Sequence, residues 1–140
     1  MNRIKKLRNL FKPFKIDGYL VPKNDEYFNE YVKQSKDRLK FISDFSGSAG
    51  FAIILKDKNY LFVDGRYSIQ ARIQSGKNFK IITIPEKFPK DILKTKNKLR
   101  IGFDPKLHNE KQLNFIFKTK NIILKPISKN LIDLIWSKKP

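Results

Sequence analysis

The side chains able to do acid–base, metal or nucleophilic chemistry are few in this sequence. It holds one histidine, His108, 13 acids and no cysteine. Hydrolysis at a two-metal centre needs several carboxylates, and usually a histidine, converging on ions about 3.5–4 Å apart. Here the acids stand singly apart from Asp25-Glu26, and no H-E-x-x-H pattern occurs. The reading is that these residues supply no catalytic group and no metal ligand. His108 follows Asp104-Pro105 just ahead of a helix and reads as a surface or capping histidine. The absence of cysteine excludes a disulfide framework and thiolate metal sites, and it fits a reducing, cytoplasmic setting.

Two stretches invite a binding role. Ser46-Gly47-Ser48-Ala49-Gly50 resembles a phosphate cradle, but it lacks the Lys-Ser/Thr pair of a P-loop and precedes a strand. Small residues there let the backbone turn sharply and pack against a neighbour. Arg66 has two readings. One is a structural salt bridge, for example to Asp44 or Asp104. In the other it faces a cleft or a neighbouring subunit, where its planar guanidinium suits a peptide carbonyl or C-terminal carboxylate. Tyr67 reads as a half-buried helix residue. Trp136, beside Leu131, Leu134 and Ile135, reads as a plug in the seam with a following domain, leaving an apolar patch if that domain is removed.

Charge is the loudest compositional feature: Lys plus Arg is 31 against 13 acids, a net charge of +18. Clustered cations release counterions from phosphates, so a free-standing basic module, for RNA in particular, is the alternative function. The cations are mostly lysines spread along the whole chain, whereas base readout leans on arginine. A solvated basic surface, partly neutralised by an acidic partner domain, accounts for them better. Hydrophobic residues at 40% place the chain among folded globules. No apolar run is long enough for a membrane span or signal peptide.

These residues need elements to position them. Ile4, Leu7, Phe11 and Phe14 predict a helix over 2–14, ended or bent at Pro13. A strand follows over 17–21, then a polar, aromatic loop to Ser35 and a short helix to about Ser43, capped by Ser35 or Asp37. Residues 51–55 and 60–63 read as a hairpin, and Asp64 caps a helix running to about Gln74. Strands at 79–84, 99–103 and 122–125 alternate with helices at 89–95, 109–118 and 130–136. The expectation is one α/β domain over residues 1–140, with a mixed, mostly parallel sheet of about six strands flanked by helices on both faces.

Four strings add a resemblance. Arg38 with Phe45-Ser46-Gly47-Ser48-Ala49-Gly50 resembles the R…(Y/F)-x-S-x-F-T-G-S-A-G segment of cytosolic-type Xaa-Pro aminopeptidases. Asp64-Gly65-Arg66-Tyr67 with Gln70-Ala71 is similar to their D-G-R-Y-x-x-Q-A, and Ile101-Gly102-Phe103-Asp104-Pro105 to I-G-V-D-P. Asn130-Leu131-Ile132-Asp133, Ile135-Trp136 and Lys139-Pro140 resemble N-L-V-D-x-I-W-x-x-R-P. Asp25 to Tyr31 resembles D-x-H-x-x-E-Y, with Tyr27 in place of the histidine. The resemblance implies a ribonuclease H-like fold of the creatinase/prolidase N-terminal type and a non-catalytic role. It also implies a pita-bread catalytic domain beyond Pro140 with two divalent ions, usually manganese. Further implications are a homodimer, and substrates with proline second. Ser46, Gly47, Ser48, Arg66, Tyr67 and Trp136 are then the candidates for substrate or interface contacts.

Overall fold

A computed structural model describes residues 2–28, 31–93, 97–117, 119 and 121–140. Helix α1 (Asn2–Arg8) and helix α2 (Phe11–Phe14) together carry the first apolar face, with Ile4, Leu7 and Phe11 buried. The break comes at Asn9-Leu10, ahead of the expected Pro13. A proline ring excludes the helical carbonyl four residues before it, and that residue is Asn9.

Strand β1 (Gly18–Pro22) is buried along its whole length. A short 3₁₀ turn (Gln34–Lys36) precedes helix α3 (Arg38–Ser43), which Asp37 caps by accepting from the Lys40 amide. Strands β2 (Phe51–Leu55) and β3 (Asn59–Asp64) form the expected antiparallel hairpin. Asp64 accepts from the Arg66 amide and opens a 3₁₀ turn (Gly65–Tyr67), so the helix proper, α4 (Ser68–Ser75), starts later than expected. Strand β4 (Lys80–Ile84), helix α5 (Pro89–Ile92), strand β5 (Leu99–Phe103), helix α6 (Glu110–Phe117), strand β6 (Ile122–Pro126) and helix α7 (Leu131–Ile135) complete the order. The predicted ends of the fifth and sixth helices, at 94–95 and 118, lie outside the described residues, as do residues 29 and 30 of the Asp25–Tyr31 match.

The sheet order is β4-β3-β2-β1-β5-β6. Only β2 runs antiparallel to its neighbours; β3–β4, β1–β5 and β5–β6 pair in parallel. Both faces are covered, which is why the central strands are apolar throughout instead of alternating. On one face Leu7, Tyr19, Leu39, Phe45, Leu61 and Leu131 pack under α1–α4 and α7. On the other, Leu20, Ile53, Phe62, Ile101, Leu113 and Phe117 pack under α5 and α6. Each fully buried aliphatic or aromatic side chain contributes roughly 1.5–3 kcal/mol relative to exposure. Among the described residues no helix is long and apolar enough to cross a membrane.

Candidate functional site

The 45–50 loop and the start of α4 meet at the sheet edge where the parallel strands end. Phe45 is fully buried, and its ring lies beneath Gly47, where a Cβ would come within 2.2 Å of the Phe45 Cζ. Gly50, at φ +148°, turns the chain into β2. The loop is then clamped by α4. The Ser46 amide donates to Gln74 Oε1 (2.9 Å), and the Nε2 groups of Gln70 and Gln74 both donate to Ser46 Oγ (3.1 and 2.8 Å). Ser48 and Tyr67 share a hydroxyl–hydroxyl hydrogen bond, and Tyr67 lies edge-on to Phe45 at 6.0 Å. The two glutamines are four apart on one helix, a spacing visible in the sequence, yet their role as a clamp appears only once the loop is folded against them.

Arg66 corrects one expectation. It pairs with neither Asp44 nor Asp104 but with Asp64, through Nη2–Oδ2 at 2.9 Å and Nε–Oδ1 at 3.3 Å. Asp64 caps the turn and its carboxylate already accepts from the Arg66 amide, so it lies within reach of the Arg66 fork. The Arg66 hydrogen bond holds the Asp64 carboxyl below its ordinary range, and Asp64 in turn raises Arg66. The guanidinium remains 78% exposed. Asp104 is occupied elsewhere: it is buried, accepts from the Lys106 amide and from Asn130 Nδ2 (3.0 Å), and so pins the cap of α7 to the end of β5.

Ser46, Gly47, Ser48, Arg66 and Tyr67 thus form one group, and Trp136 stands apart from it. Trp136 stacks on Phe41 at 4.6 Å and is half-buried within the domain itself. Nearby, Arg38 is 5% exposed and grips Asp133 with a fork at 2.8 and 3.0 Å across 95 residues of sequence. His108 is a further correction. It stands at the C-cap of the 3₁₀ turn Pro105–Leu107, but its side chain is half-buried and not at the surface, edge-on to Phe103 at 5.8 Å, with Nε2 shielded and, among the described residues, unpartnered. Burial lowers its pKa to about 4, although Asp104 pulls the other way. Among the described residues no three His, Cys, Asp or Glu side chains gather into a metal site.

A domain with a mixed sheet, helices on both faces and this clamped edge loop is of the creatinase/prolidase type. The family model for the creatinase/prolidase N-terminal domain matches residues 3–131, and the chain belongs to that family. A probable Xaa-Pro aminopeptidase P from Coprinopsis cinerea is 39% identical over 96% of this chain, which covers 23% of that relative. The X-prolyl aminopeptidase of Caenorhabditis elegans, described as a cytosolic enzyme with a di-nuclear active site, superposes with a TM-score of 0.88. It is 29% identical over 99% of this chain, which spans 26% of its length. The isolated N-terminal domain of the cytoplasmic peptidase PepQ from Mycobacterium tuberculosis shares the fold alone, at TM-score 0.70 and 19% identity, with 96% of this chain and 98% of that one covered. The chain therefore spans about a quarter of the first two relatives' length.

Proposed function

We propose that this chain serves as the non-catalytic N-terminal domain of a cytoplasmic Xaa-Pro aminopeptidase, which removes the residue preceding proline from peptide N-termini. The divalent ions, manganese by expectation, are held by the catalytic domain. Among the described residues the acids gather in no metal-binding group, and this chain's own part is to shape the substrate cleft and the contacts between domains and subunits. The observation that carries this reading is Arg66 at the clamped edge. Asp64 engages two of the five guanidinium N–H donors, and among the described residues nothing else bonds the fork, which suits a peptide carbonyl or carboxylate. Gln70 and Gln74 hold the neighbouring loop still, and the Ser48–Tyr67 hydrogen bond ties the turn that carries Arg66 to it.

The test is Arg66→Ala in the enzyme joined to its catalytic domain. Loss of a hydrogen bond to a charged donor is worth about 1.5–3 kcal/mol, or roughly 10- to 100-fold in kcat/KM for peptides with proline second. The melting temperature stays where it was, because the side chain is exposed. Unchanged kcat/KM with a lowered Tm would return Arg66 to a purely structural role.

A further inference from the structure

On the face of the sheet opposite α4 lies a second feature, a cleft of ≈ 460 Å³. Its position follows from the topology. From β1 the chain builds outward through β2, β3 and β4, then crosses back to β5 and builds the other way to β6. The loops after β1 and β5 therefore part in opposite directions. In open α/β sheets a crevice outside the carboxyl ends of the strands at such a switch point is where small ligands bind. Asn24, after β1, and His108, after β5, both line this cleft, and the Asn24 amide donates to the Leu107 carbonyl at 3.2 Å, tying the two loops together.

The lining specifies the ligand's chemistry. Leu20, Phe51, Ile84 and Phe115 make the walls apolar; Phe51 is backed by Phe62 at 4.9 Å, and Phe115 is 59% exposed at the rim. Among the described residues that line it, none is acidic and Lys111 is the one cation. Lys90 adds a second positive charge close by, 5.1 Å from the Phe115 ring. His108 lines the cleft without adding charge near neutral pH, since burial keeps its imidazole unprotonated. A volume in the range of small-molecule pockets, apolar walls and a lining with a cation and no acid fit an amphipathic anion.

We propose that this cleft binds a small apolar carboxylate, with the acid at Lys111 and the hydrocarbon against Phe51, Ile84 and Phe115. The cleft lies on the sheet face opposite α4, touches the 45–50 loop at Gly50, and does not depend on the peptidase reading.

The test is titration of this chain with 4-phenylbutyrate, followed by amide NMR shifts. 4-Phenylbutanol supplies the tail without charge, and butyrate the charge without a tail. Expected are saturable shifts confined to the amides of Gly50, Phe51, Lys111 and Phe115, with 4-phenylbutyrate the tightest of the three. Lys111→Ala, at an exposed position, weakens the acid by about three- to fivefold, as loss of a solvent-accessible ion pair would, and leaves the alcohol unchanged. Phe115→Ala weakens acid and alcohol alike. The proposal is overturned by shifts scattered over the lysine-rich surface, by butyrate binding as tightly as 4-phenylbutyrate, by equal affinity for acid and alcohol, or by no saturable binding at all.

Discussion

His108 makes stability depend on pH between the unfolded and folded values of its imidazole. In the unfolded chain its imidazole has the ordinary value of 6.5; in the fold, burial lowers it to about 4. Between those values the unfolded chain binds a proton that the folded chain refuses. Stability is therefore complete above the unfolded value and falls as the solution is acidified toward the folded one. The full shift corresponds to about 3 kcal/mol, and linkage puts roughly 2 kcal/mol of loss between about pH 7.5 and about pH 5. That is a large fraction of a domain stability of about 5–15 kcal/mol. Asp17, Asp64 and Asp133 are lowered from 3.8, so their contributions are lost mainly at more acidic pH. The assay is urea unfolding followed by fluorescence of the single tryptophan, Trp136, whose stacking on Phe41 reports the fold. His108→Phe keeps an aromatic ring against Phe103 and removes the titration. Its stability should be flat across this window while that of the parent chain falls. Coincident pH profiles for the two proteins would refute the claim that the buried imidazole carries the effect.

Two further perturbations probe long-range packing. Asp133→Ala strands the buried Arg38 guanidinium and should cost about 3 kcal/mol in the same urea assay, whereas the double change Arg38→Met with Asp133→Leu should recover most of it. A single variant as stable as the parent would show the ion pair to be dispensable. Gly47→Ala drives a methyl into the Phe45 ring and should cost about 1–3 kcal/mol, read as a lowered Tm. Gly65→Ala, with nothing within 4 Å of the added carbon, serves as the neutral control.

Much of this architecture was legible along the chain because it depends on short-range patterning. Apolar runs and turn residues set the order of strands and helices, and the hairpin at 51–64 follows from two such runs and a short connection. Asp37 and Asp64 cap as their positions required, since a carboxylate there reaches the next amides whatever the rest of the chain does. Asn130 accepts from two amides of the following helix for the same reason. The Ser46–Gly50 turn, Arg66 and Tyr67 were recognisable by type and order, though not their partners.

The partners were decided in three dimensions. Local spacing offers Arg66 several carboxylates, and the tight turn after β3 selects Asp64. No sequence window contains both Arg38 and Asp133, nor Ser46 and Gln74; folding the helices onto one face of the sheet brings them together. The setting of His108 likewise depends on Phe103 at the end of β5, and the cleft beside it on residues from β1, β2, β4 and α6 that no sequence window contains together. A local pattern records which face of an element turns inward. What that face meets is fixed by the crossing of the chain from β4, at one sheet edge, back to β5 beside β1.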